Sequence, residues 1–149
     1  MDCVSQPCGG CQAGERLSDV NVWTTDISKV LNSPRARKKF HEFISTKKLE
    51  EAEQTLHLWE QIDKIQRKKR ERNDLPRNAL LRAYKHLYDY AEEYINFDEA
   101  EMRQLRRLTK SCSPEVEDEI LEMAKQSAQK LLSDDHRHFS SHLWNQLGR

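Results

Sequence analysis

Apolar residues recur along this chain at intervals of three and four, the spacing that lines one face of an α-helix. Ala36, Phe40, Phe43 and Ile44 predict a helix from Pro34 to about Thr46. Leu56, Trp59, Ile62 and Ile65, with Ala52 behind them, predict a long helix from about Glu50 to Lys69. Leu80, Ala83, Tyr84, Leu87, Ala91 and Tyr94 form the stripe of another, from Pro76 to about Tyr94. Met102, Leu105 and Leu108 mark a shorter helix that stops near Thr109, and Val116, Ile120, Met123, Ala124, Ala128 and Leu131 a longer one from Pro114. Phe139, Leu143 and Trp144 supply the apolar face of a last segment, and a short helix is expected after Trp23 with Ile27, Val30 and Leu31 inside.

Start signals sit where these stripes begin. Ser33-Pro34 and Ser113-Pro114 each pair a capping hydroxyl with proline at the first helical position, where a missing N–H costs nothing. Pro76 is expected to do the same after Asn73-Asp74-Leu75, and Thr24 or Thr25 to cap the short helix. Asp98 and Glu101 have the spacing of an acidic capping box. Ser133 is read as the cap of the last segment, with Asp134 and Asp135 in its first turn, where negative charge suits the helix dipole.

Glycine usage settles the class. Gly9, Gly10 and Gly14 lie in the first fourteen residues and the fourth is Gly148, so glycine-dependent hairpin turns have no site between Glu15 and Leu147. The expectation is an all-α chain of about seven helices. Residues 1–15 have tail composition and are expected to be disordered. One join stands out: in "YINFDE", residues 94–99, a polar Asn96 lies between Ile95 and Phe97 at a bend with no Gly or Pro nearby. Bonding to local backbone is the ordinary use of an asparagine at such a turn.

With 149 residues the chain is expected to form one domain, and its zero net charge favours neither nucleic acid nor an anionic membrane through the whole-molecule field. No apolar run approaches a transmembrane length and the first residues lack the apolar region of a signal peptide, so a soluble, cytoplasmic protein is expected. Four cysteines, Cys3, Cys8, Cys11 and Cys112, make no disulfide framework.

Candidate chemistry is sparse. Cys3, Cys8 and Cys11 provide three thiolates where a structural zinc site takes four ligands, and the next candidate, His41, lies across a helix, so no metal is expected. Clustered terminal cysteines are also candidates for lipid attachment, which would add a peripheral membrane association; reduced thiols in a tail are the plain alternative. "KIQRKKRER", residues 64–72, carries six basic residues and one acidic one. It sits at a helix C-terminus, where cations are favoured, and has no aromatic residue to stack on bases, so nucleic-acid binding is not expected. Ser133, Asp134, His136 and His138 are sequential neighbours on one helix rather than a triad assembled in space. With no glycine in the core there is neither a nucleophile elbow nor a phosphate-cradling loop. Catalysis of the chain's own and cofactors are thus not expected; binding, or assisting another protein's catalysis, remains.

The order of four motifs resembles a known family. Trp23 precedes "FHEFI" (40–44), an acidic joint leads to "LHLWEQIDKI" (56–65), "EEYINFDEAEM" (92–102) joins two helices, and "AQKLLSDDHRHFSSHLW" (128–144) closes the chain. From about Trp23 to Trp144 the chain resembles the RGS-homology domain, the regulator of G-protein signalling fold, and "HLWEQI" is also similar to the RGS-homology domains of receptor kinases. The resemblance implies an all-α bundle of seven to nine helices in two subdomains: a four-helix bundle at about 50–132, and a terminal subdomain from about 22–48 and 133–147. Members that activate GTPases clamp the switch segments of a Gα subunit and hold its glutamine and attacking water in place. The implied partner is therefore a heterotrimeric G-protein α subunit.

Carried over residue by residue, the resemblance gives Asn96 as a switch contact and Asp134 as the aspartate of the C-terminal motif. His138 falls at the arginine position of that motif, with Arg137 beside it. Thr55 falls where the family places a second asparagine, four residues before Trp59. An acidic contact falls on Glu50 counting from Trp59, or on Lys47 counting from Phe43. Threonine offers fewer hydrogen bonds than an amide, and histidine lacks the permanent charge and fork of arginine. The expectation is a kept fold with GTPase activation weak or lost; the alternative is an interaction scaffold of the same fold for another partner.

Overall fold

A computed structural model describes residues 16–72, 75–110 and 113–148. Among the described residues there are eight helices and no strand: α1 (Leu17–Thr25), α2 (Ile27–Leu31), α3 (Pro34–Thr46), α4 (Glu50–Glu71), α5 (Arg77–Tyr94), α6 (Glu99–Leu108), α7 (Pro114–Leu131) and α8 (Ser133–Leu147). The fold is an all-α bundle. Two compact units divide it, one formed by Lys48–Leu132 and the other by the segments on either side. The cysteines and the early glycines, like Asn73 and Asp74, lie outside the described residues.

The unit from Lys48 to Leu132 is built on α4. Its first turn carries Glu50, Glu51 and Glu53 and its last Lys68, Lys69 and Arg70, each sign at the end where the helix dipole favours it. Leu56, Leu58, Trp59 and Ile62 are fully buried on it. Helices α5, α6 and α7 follow as an up-and-down circuit, each packed on the next, and α7 closes on α4. Four polar pairs set the antiparallel register of α4 on α7. Trp59 Nε1 donates to Gln129 at 3.3 Å, Lys125 Nζ to Asp63 at 2.9 Å, Gln66 to Glu122 at 3.1 Å, and Lys69 Nζ to Asp118 at 2.6 Å. The Lys125 ammonium also lies 4.6 Å from the centre of the Trp59 ring, so this cation is held by a carboxylate and an aromatic face together.

In the flanking unit, α1, α2, α3 and α8 enclose an aromatic core: Phe139 stacks with Phe40 at 5.1 Å and Phe43 at 5.5 Å. His136 is buried, and its Nε2–H donates to the Trp23 carbonyl at 2.8 Å, tying α8 to α1. Arg37 donates to the Leu31 carbonyl at 2.6 Å and so satisfies the end of α2.

The serine caps form as expected: Ser33 accepts from the Ala36 amide and Ser113 from the Val116 amide. Other local expectations are corrected. Helix α1 was not foreseen; it contains Trp23 rather than preceding a helix start, because Leu17 and Val22 are exposed and only Val20 and Trp23 form its buried side. Asp26 caps α2, accepting from the Ser28 amide at 2.9 Å. Thr24 and Thr25 instead donate back to the Val20 and Val22 carbonyls. Pro76 is the cap residue of α5 rather than its first helical position, and Ser133 is the first residue of α8. Tyr94, Leu131 and Trp144, read as core, are exposed.

Candidate functional site

The joint between α5 and α6 is fixed on both sides by its own residues. Ile95 ends α5 by donating its amide to the Ala91 carbonyl at 3.0 Å, and its side chain is buried. Phe97 is half-buried. Asp98 then opens α6 with a complete capping box: its carboxylate accepts from the Glu101 amide at 2.7 Å, and Glu101 accepts from the Asp98 amide at 2.9 Å. Asn96 is exposed between these anchors, and its side chain makes no hydrogen bond among the described residues. The ordinary turn role expected of this amide is therefore not filled; the anchors shape the bend and the amide is left facing solvent.

An aromatic ladder brings this joint to the same end of the unit as the start of α4. Tyr90 donates its hydroxyl to the Gln54 carbonyl at 3.2 Å and stacks on His57 at 5.1 Å and Tyr94 at 4.9 Å. Burial raises the Tyr90 pKa, helped by the neighbouring Tyr94 and Glu53. Glu93, beside the Tyr94 hydroxyl, raises that group too. Glu50, Glu51, Glu53, Glu92, Glu93 and Glu99 are all exposed around this end, with Lys48 beside them.

Thr55 and Glu50 stand differently, although both belong to α4. Glu50 is exposed in the first turn. Thr55 is buried, and its hydroxyl donates to the Glu51 carbonyl of its own helix at 2.9 Å. That bond occupies its one donor, so Thr55 is not presented as a polar contact. Lys47, the other candidate for the acidic position, is the exposed C-cap of α3.

In the flanking unit, Asp134 and His138 lie one turn apart on α8, both exposed, with Asp134 held in an ion pair by Arg137. Their neighbour His136 is turned inward to Trp23, so Asp134, His136 and His138 do not converge. Among the described residues no group of three or more His, Cys, Asp or Glu side chains is placed to hold a metal, and no helix is long and apolar enough to cross a membrane.

Sequence reasoning missed one buried charge. Glu117 is fully buried on α7 and receives both terminal nitrogens of Arg77, the Tyr84 hydroxyl at 3.2 Å, and the Lys69 ammonium at 3.7 Å. The signal was present: Glu117 sits three residues before Ile120, in line with Ala124 and Ala128, so an acid occupies the apolar stripe of its helix. Comparison of the chain with protein-family models, characterised proteins and solved structures returns no match.

Proposed function

We propose that this chain is a docking module of the regulator of G-protein signalling type, binding the switch surface of a Gα subunit through the Asn96 joint, with GTPase activation weak or absent. The observation that carries the reading is the unbonded, exposed amide of Asn96 on a joint held rigid by Ile95 and the Asp98–Glu101 capping box. An amide with free donor and acceptor, held without local bonds to break, suits recognition of a partner's backbone. Glu50, on the same end of the unit, supplies a further exposed polar group; Asp134 and His138, on α8 of the flanking unit, are exposed as well.

Weak activation follows from two departures. Thr55 is buried with its hydroxyl committed to Glu51, and His138 lacks the fork of an arginine. Thr55 also favours the second reading, a scaffold of the same fold for a partner other than Gα. The first reading carries a cytoplasmic setting, with Cys3, Cys8 and Cys11 as candidate acylation sites.

The test is a pull-down against Gα loaded with GDP–aluminium fluoride and with GDP alone, for the wild-type chain and Asn96→Ala. Binding selective for the fluoride state and lost in Asn96→Ala supports the first reading. No binding to any Gα class in either state removes it and leaves the second. Efficient single-turnover GTP hydrolysis would overturn the weak-activation part.

A further inference from the structure

On the Lys48–Leu132 unit, α4 and α5 leave an open groove of about 410 Å³, within the range of about 300–1,000 Å³ typical of small-molecule sites. Its floor is apolar: Ile65 from α4 and Ala79, Leu80 and Ala83 from α5, all half-buried. Ala79 and Ala83 lie one turn apart and end at Cβ, which is what leaves the channel unfilled. Along the α4 side run Gln61, Lys64 and Lys68, spanning about 10 Å at the helical rise.

These three residues share a property. The Gln61 Nε2 is buried and has no hydrogen-bond partner among the described residues, which is costly for an amide unless an acceptor arrives. Among the described residues, Lys64 and Lys68 have no ion-pair partner and no acidic residue lines the groove. The neighbouring groove around Glu117 is built oppositely: there Lys69 and Arg77 are matched by Asp118 and Glu117. The α4–α5 groove thus combines an apolar channel with hydrogen-bond donors and positive charge that have no counterpart among the described residues.

We propose that this groove binds a monomeric single-chain carboxylate amphiphile, a free long-chain fatty acid. Its alkyl chain lies on Ile65, Ala79, Leu80 and Ala83, and its carboxylate accepts from Gln61 and pairs with Lys64 or Lys68. A planar two-oxygen anion can take an amide N–H and an ammonium together. A neutral hydrocarbon would leave the Gln61 donor unpaired, and a short carboxylate would leave the channel empty. The inference does not depend on the Gα reading.

The experiment is calorimetric titration of the full chain with dodecanoate below its micelle concentration, beside 1-dodecanol and butyrate. Saturable dodecanoate binding at a single site is expected, with both controls weaker by about tenfold or more, the loss of one charge-assisted contact or of the chain's burial. The Lys64→Glu/Lys68→Glu double variant should weaken dodecanoate by at least about tenfold for the same reason, while Ala83→Trp should abolish binding by filling the channel. Ala83→Leu serves if Ala83→Trp shifts the unfolding midpoint. No saturable dodecanoate binding, binding unchanged in both the groove-filled and charge-reversed variants, or binding confined to phosphatidylserine vesicles would overturn the proposal.

Discussion

Arg77 grips Glu117 with both arms of its guanidinium, Nη1 to Oε1 at 3.1 Å and Nη2 to Oε2 at 2.5 Å, joining the start of α5 to a fully buried carboxylate on α7. The geometry is the bidentate fork that makes arginine the strongest partner for a carboxylate. Tyr84 and Lys69 complete the cluster, so three helices meet on one acid. Burial, then the Glu117 charge, raise the Tyr84 pKa and keep its hydroxyl a donor to that carboxylate.

Removing Arg77 takes the bidentate cation from this buried acid and leaves the Lys69 ammonium 3.7 Å away. Arg77→Ala is therefore expected to destabilise the chain by about 2 kcal/mol, below the range for fully buried pairs because the arginine side chain is 41% exposed. Urea unfolding measures it. The Arg77→Met/Glu117→Leu double variant should cost less than Arg77→Ala alone. A double variant that is the worse of the two would show that the pair is more than a neutralised burial.

Asn96→Ala removes no hydrogen bond within the described chain. Its unfolding midpoint in urea should match wild type to within about 0.5 kcal/mol, as for surface positions without a structural role. A loss of more than about 1 kcal/mol would mean the amide holds the joint together, and the binding role would lose its main support.

Helix α3 ends through Lys48, whose φ of 57° lies in the left-handed region. A lysine there bears a steric cost that glycine does not. Lys48→Gly is expected to raise stability by about 1 kcal/mol, offset in part by greater freedom of the unfolded chain. Thermal and urea unfolding should agree on the sign, and a destabilised variant would point to a stabilising role for the lysine side chain.

Burial alone would raise the Asp63 pKa, but its bonds to Lys125 and Arg67 outweigh that effect and lower it. The unfolded chain thus binds a proton more readily at this site than the folded one. The stabilisation from Asp63 is complete above its ordinary pKa of 3.8 and is lost as pH falls toward the lowered folded value. Asp63→Asn should be less stable than wild type above pH 3.8, and the gap should close on acidification. Parallel acid limbs for the two proteins would remove Asp63 from the acid response.

The sequence by itself determined the helical class and most of the helix spans. Stripes such as Phe40, Phe43 and Ile44, and caps such as Ser33, Asp98 and Ser113, act within a few residues, and local geometry is enough to read them. It also singled out Asn96, because an amide between Ile95 and Phe97 conflicts with its surroundings. The first helix escaped notice since half its apolar residues face solvent and leave no stripe. Only the tertiary structure decided that Thr55 is buried and spent on Glu51, that Asn96 is left unbonded, and that Glu117 is matched by Arg77 forty residues away. It alone decided, too, that Gln61, Lys64 and Lys68 line a channel with no acid beside them among the described residues. Helix formation is settled by neighbours along the chain, whereas the pairing of a polar group depends on what another helix places opposite it, and periodicity carries no record of that.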